Sequence, residues 1–415
     1  MTDQNERFKK LKYGYDSDSE VVSTSLPILK VELGLNRQQQ VKALKMILLN
    51  FKFSDCPKVG VLVSTSIKLT KRANFNEIGQ RALNTVIDKL AEYEYISRQK
   101  GSKKDKRCTL IWPTPKLNSF FHDNRWFMWT EYGNNAPLEL ITNHEPIVLK
   151  DSNKDKTPIE YEDTSYTNRV RQNMKRYEEF LSNKEITYGG YREHKDGLKT
   201  ISPPYDLKRS YNNGSFGFGG RLSSPWANLP SALRETIQID GNDTVEIDFS
   251  ASSLNIIYRA VTGKPYQGGD AYMVNVDGVD IPRSYSKRYL AIAQNVSSPQ
   301  VASRIFKIEL VSDEIFDDFT SYGVSVKKLA LALRAKHKEI GSCLFKGELG
   351  LRVQLAESEI VFMISNRLTL EDIPVLTVYD SFIMEERHKE HVEEVIADTL
   401  DSCIDDYLNT LSSYM

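Results

Sequence analysis

Thr244-Val-Glu-Ile-Asp248-Phe-Ser-Ala-Ser-Ser-Leu254-Asn-Ile-Ile-Tyr-Arg-Ala260 changes its periodicity halfway along. From Val245 to Phe249 apolar residues recur every second position, the period of a strand, so Asp248 projects to the face opposite Val245, Ile247 and Phe249. From Ser253 onward Leu254, Ile257, Tyr258 and Val261 recur at three- and four-residue steps, the period of a helix packed on that strand. An acid at such a junction can face a cleft. Asp and Ser also serve as helix N-caps, accepting hydrogen bonds from a first turn, so Asp248 alone leaves both readings open.

A second acid decides between them. In Val375-Leu-Thr-Val-Tyr-Asp380-Ser-Phe-Ile-Met384 two short apolar runs flank Tyr379-Asp380-Ser381, where a tight hairpin turns. Two carboxylates at strand ends, far apart in sequence, are what a pair of divalent cations needs: hard oxygen ligands with positions left for water and phosphate. Between them, Arg283 and Lys287 stand four apart and so share one helix face, which suits a polyanion such as a nucleoside triphosphate.

This order of acid, basic helix and Asp-Ser hairpin resembles the palm and fingers of the family A DNA polymerases and the related phage-type single-subunit RNA polymerases. Gly220-Arg-Leu-Ser-Ser224 and Asn228-Leu-Pro230 resemble the segment upstream of the first metal motif. Glu246-Ile-Asp-Phe-Ser250 is similar to that motif itself. Arg283, Lys287, Ala291 and Asn295 fall at the positions of the fingers helix. Gln354, with Ser358-Glu-Ile-Val361 after it, resembles the helix before the last motif. The similarity covers residues 205–400, in the order of the family.

The fold class this implies is α+β: a right-hand palm with an antiparallel sheet and helices, plus helical fingers, preceded by a small winged-helix domain. The resemblance implies nucleotidyl transfer with two Mg²⁺ ions, or Mn²⁺, held by Asp248, the Phe249 carbonyl and Asp380. Lys287 is the implied charge-neutralising residue at the leaving phosphates, Arg283 the triphosphate clamp, and Arg288 a further candidate. Arg221 and Gln354 are the implied contacts to primer terminus and minor groove. Ser253 and Asn295 stand where the family discriminates the sugar. Ser253 lacks the bulk of the Glu that excludes a 2′-hydroxyl in the DNA polymerases, and Asn295 stands where the RNA polymerases use a Tyr to sense the ribose, which predicts ribonucleotide use at least comparable to deoxyribonucleotide use. Four positions depart from the pattern: Tyr379 replaces a His, Ser381 stands where the DNA polymerases have Glu but the RNA polymerases also have Ser, and Ala291 and Asn295 lack the aromatic rings of the DNA polymerases.

Composition bounds the rest. The 415 residues are 27% charged and 40% hydrophobic, which suits two or three globular domains. A net charge of -1 excludes a uniformly basic nucleic-acid binder and leaves only local patches. No apolar run approaches the length of a membrane span, Met1–Lys10 are polar, and four cysteines lack metal-ligand spacing; a cytoplasmic protein is expected.

Residues 1–27 read as a flexible polar arm. Residues 28–120 read as a DNA-binding winged helix, with helical apolar spacing at Val41, Leu44, Leu48 and Leu49 and again at Ile78, Ala82, Val86, Ile87 and Leu90. A strand, a basic tip and the strand Cys108-Thr-Leu-Ile-Trp112 follow. The tip from Arg98 to Arg107 holds six basic residues against one acid, either a solvated turn or a phosphate contact. Lys71, Arg72, Arg81, Arg98, Lys100, Lys103, Lys104, Lys106 and Arg107 are the candidate DNA contacts. Residues 121–200 read as a linker and a thumb-like helical region, and 201–415 as palm and fingers. His337 reads as a solvated residue.

The function expected is therefore a template-directed polymerase or primase acting on DNA and nucleoside triphosphates, in replication of a mobile element. The alternative is a DNA-binding initiator or regulator whose palm is inactive; keeping both acids with Arg283 and Lys287 argues against it.

Overall fold

The computed structural model describes residues 9–10, 15–52, 61–63, 78–101, 108–124, 126, 141–142, 144–153, 156–189, 199–201, 203, 205–248 and 253–412. Two compact units result, Met1–Glu145 and Pro146–Met415. Both mix helices with mainly antiparallel sheet, an α+β composition. Among the described residues no helix is long and apolar enough to cross a membrane.

The first unit builds its core from helices Glu20–Glu32, Gln38–Lys52 and Gln80–Glu92. Leu44, Leu48 and Leu49 are buried on the second, and Ile78, Ala82, Val86, Ile87 and Leu90 on or just before the third, the spacing that the sequence predicts. The strand Thr109–Pro113 pairs antiparallel with both Val61–Val63 and Ile96–Gln99. The expected arm, 1–27, contains the start of the Glu20–Glu32 helix. Val22, Leu26 and Leu29 repeat at helical steps and are buried, so the chain has a core to join from Glu20 onward. Trp126, fully buried, donates its indole N–H to Ser25 Oγ at 2.7 Å.

The second unit is organised on an antiparallel sheet in the order Val375–Val378, Ser381–Glu385, Asn242–Asp248, Gln238–Ile239, Ile186–Tyr188, Lys199–Thr200. Alternation splits its side chains between two cores. Val375, Phe382 and Met384, with Val245 and Ile247, pack against the helices Ser253–Thr262, Leu349–Leu370 and Lys389–Ser412. Leu376, Val378 and Ile383 face Trp226 and the helix Ser165–Ser182. Tyr177 of that helix donates to Val375 O at 2.7 Å, and the Trp226 indole donates to Thr377 O at 2.9 Å. Both bonds hold the hairpin strand from the same side.

The Asp151 carboxylate accepts from the Asn153 and Thr157 backbone amides at 3.2 and 2.9 Å. The Ser165–Ser182 helix beyond it buries Val170, Met174 and Tyr177. On helix Ser253–Thr262 the buried residues are Leu254, Ile256, Ile257 and Tyr258, while Val261 is exposed.

A three-stranded sheet sets Lys208–Tyr211 antiparallel to Gly219–Ser223 and parallel to Ile147–Leu149. Beneath it Arg209 is fully buried, its Nη2 2.7 Å from Glu359 Oε1 and its Nε donating to Gly220 O at 2.8 Å. Tyr166 donates to the same Glu359 oxygen at 2.6 Å. Buried charge is tolerated when paired and hydrogen-bonded in this way. Gly220 has φ +77°, and a Cβ there would lie 3.0 Å from both Arg209 Nη2 and Leu355 Cδ1.

Helices Arg283–Ala293, Pro299–Ser312, Phe316–Ser321 and Val326–Lys336 pack through Tyr285, Tyr289, Phe306, Phe319 and Leu329. His337, expected in solvent, is instead buried. It follows immediately on the last of these helices, where Tyr258 and the Ala271 carbonyl give both ring nitrogens a partner, at 3.0 and 2.9 Å.

Candidate functional site

Asp248 is the last residue of its strand and lies directly opposite Ser381 in the antiparallel register. Asp380 precedes Ser381, in the two-residue turn that joins Val375–Val378 to Ser381–Glu385. The two acids found in the sequence therefore arrive at the same end of the sheet, one on an exposed strand terminus and one on a half-buried turn. Tyr379, which leads that turn, adopts φ +54° and is 46% exposed.

Directly opposed residues of an antiparallel pair share a face, so Ser381 lies beside Asp248 and Glu246. Ser381 Oγ donates to Glu246 Oε1 at 2.6 Å and to Val378 O at 3.0 Å. Arg234 holds the Glu246 carboxylate from the other side, Nε to Oε2 at 3.0 Å and Nη2 to Oε1 at 3.3 Å. Glu246 is thus committed to structure, while Asp248, at the end of the strand, is exposed.

Over the turn stands Arg221, from the strand Gly219–Ser223, its guanidinium 5.4 Å from the centre of the Tyr379 ring. With the Gln354 amide oxygen turned toward it, Arg221 donates from Nε at 2.9 Å and from Nη1 at 3.2 Å. The structure thus brings together Arg221 and Gln354, which lie far apart in sequence.

Sequence reasoning missed Glu357, three residues after Gln354 on the same helix. Its carboxylate is buried, with Oε2 3.5 Å from Arg221 Nη2. Burial pushes its pKa up to about 7; Arg221 pulls it down, and the negative charge of Asp380 pushes it further up. Helical spacing from Gln354 is the signal that could have found it.

Arg283, the first residue of its helix, donates from Nε to Asp270 Oδ2 at 2.9 Å, and its guanidinium stands 4.7 Å from the Tyr272 ring centre. Lys287, one turn on, is exposed and forms no ion pair among the described residues. Arg288 turns instead to helix Pro299–Ser312 and its cap, 2.5 Å from Asp313 and 3.9 Å from Glu309. Ser253 accepts from the buried Gln294 amide at 3.1 Å, a link that ties the start of helix Ser253–Thr262 to the end of the basic helix. Asn295 folds back onto Ala291 O at 2.9 Å.

In the first unit Arg81 and Lys100 are exposed, whereas Arg98 is paired with Asp88. Phe249, Lys71, Arg72, Lys103, Lys104, Lys106 and Arg107 lie outside the described residues. Among the described residues no group of three or more His, Cys, Asp or Glu side chains is arranged to hold a metal ion. Asp248 and Asp380 are hard oxygen donors at one edge, of the type Mg²⁺ accepts together with water and phosphate. No protein-family model matches the chain, and no curated protein matches it in sequence.

Proposed function

We propose that the second unit is a template-directed nucleotidyltransferase, joining nucleoside triphosphates to a nucleic-acid strand at Asp248 and Asp380. The register that sets Asp248 opposite Ser381, and so brings Asp380 to the same sheet end, carries this reading. It is supported by the exposed Lys287 and by Arg283 on the same helix face. In that role Asp248 and Asp380 hold divalent cations. Such ions, when bound, lower the pKa of a strand-end hydroxyl and steady the triphosphate.

The remaining work falls to side chains. Lys287 lies near the departing pyrophosphate and offsets the charge that develops there. Arg283 exchanges Asp270 for the triphosphate tail, a bidentate partner of higher charge. Arg221, steadied by Gln354 and the Tyr379 ring, meets the end of the strand. Ser253, small where the DNA polymerases of the family carry Glu, leaves room for a ribonucleotide 2′-hydroxyl. The first unit supports the DNA-binding part of the reading through its strand order, with helix Gln80–Glu92 feeding an antiparallel hairpin, the layout of a winged helix.

Purified protein, Mg²⁺, labelled rNTPs or dNTPs and templates with and without primer test the proposal. Incorporation by the wild type that is abolished in Asp248→Ala and in Asp380→Ala is the expected result. Full incorporation by either variant removes the mechanism.

A further inference from the structure

A cavity lies between the ends of helices Ser253–Thr262 and Val326–Lys336, and it shares no residue with the Asp248–Asp380 edge. Its volume, ≈ 480 Å³, falls in the range that holds a small ligand. Two tyrosines form its wall: the rings of Tyr258 and Tyr266 stand 5.0 Å apart at 55°. Behind them His337 braces both, with ring centres 5.8 Å from Tyr258 and 5.4 Å from Tyr266. The wall is built in advance. Tyr266 is held through its backbone N–H by Asn255 Oδ1 at 3.2 Å, and its hydroxyl reaches over Gly268, where a Cβ would lie 2.2 Å away.

The rim is cationic. Lys336 donates to Asp270 O at 2.9 Å and to Met273 O at 2.5 Å, and its ammonium stands 5.7 Å from the Tyr266 ring centre. Lys264 and Lys338 are exposed and take part in no ion pair among the described residues. Glu339 is the single acid in the lining against these three lysines. A half-buried aromatic ring with ammonium groups around it matches a ligand that carries both a flat π-face and a phosphate. A purely apolar ligand would leave the exposed Lys264 and Lys338 without an anionic partner in the cleft, and a bare anion would leave the braced rings unused.

We propose that this cleft binds a nucleotide unit, with the base against Tyr266 and the phosphate between Lys264 and Lys338. Free nucleotides and single strands present the same unit. The proposal does not depend on the chemistry assigned to Asp248 and Asp380.

Photo-crosslinking of the full-length protein tests it, with 8-azido-ATP in one arm and a single-stranded oligonucleotide containing 4-thiothymidine in the other. The expected product is a crosslink mapped by mass spectrometry to residues 258–268 or 336–339. It falls about tenfold in Tyr266→Leu and in the exposed double variant Lys264→Glu/Lys338→Glu, and persists in Asp248→Ala. Labelling by the first probe alone identifies a mononucleotide site, and labelling by the second alone a strand site. Absence of label from these segments in both arms, or label unchanged in the double variant, overturns the proposal.

Discussion

Ser381 Oγ and Glu246 Oε1 are 2.6 Å apart, on the sheet face that also carries Asp248. The bond adds a side-chain link between the hairpin bearing Asp380 and the strand bearing Asp248, beside the backbone ladder that already pairs them. Ser381→Ala removes a hydrogen bond to a charged acceptor and is expected to destabilise the second unit by about 1–3 kcal/mol. Denaturant titration of wild type and variant measures this, and equal midpoints would show that the hairpin is held elsewhere.

The buried pair Arg209–Glu359 predicts a larger effect. Glu359→Ala leaves a guanidinium in the core with the Gly220 carbonyl as its remaining anchor, and deprives Tyr166 of its acceptor. Removing one partner of a buried ion pair costs about 3–5 kcal/mol. A loss under about 1 kcal/mol in chemical unfolding would mean that water reaches Arg209.

Glu357 gives a signed pH dependence. Its carboxyl titrates at about 7 in the folded chain against 4.5 as its ordinary value, so the folded state holds its proton more tightly. Where only the folded state keeps that proton, stability falls as pH rises, from about pH 4.5 to 7, and is flat above. The loss across that window is on the order of 3 kcal/mol for a shift from 4.5 to about 7. Glu357→Gln should abolish this contribution and be the more stable protein at pH 8. Identical pH profiles of unfolding for the two proteins would refute the assignment.

The first unit has its own core and ends at Glu145, which predicts that residues 1–145 fold alone. That fragment should bind duplex DNA with an affinity that falls steeply with salt, because phosphate contacts dominate. Arg81→Ala and Lys100→Ala should each lower the slope of log affinity against log salt by about one. A salt-insensitive mobility shift would assign these exposed cations to solvation.

The strand at Asp248 and the hairpin at Asp380 were legible because their cue is local: two-residue alternation, then a turn. The helix at Gln80–Glu92 was legible for the same kind of reason, apolar residues at three- and four-residue steps. Pairings between distant segments were not. Nothing in the neighbourhood of Arg221 shows that Gln354 and Glu357 meet it. His337 carries no local sign that Tyr258 and Ala271 will satisfy both its nitrogens. The helical start at Glu20 was hidden by the polar residues around Val22 and Leu26.

Gly220 stands beside Arg221 in the strand that faces helix Leu349–Leu370, with two heavy atoms 3.0 Å from where its side chain would begin. The missing side chain acts as a depth stop, letting the strand sink until Arg221 reaches Gln354. In a saturation library selected for folding alone, other residues at 220 would survive only where the strand can lift. In one selected for function they would vanish even when the protein still folds, because lifting the strand withdraws Arg221 from the turn of Asp380. The gap between those two tolerance profiles would report how finely the depth of that strand is tuned.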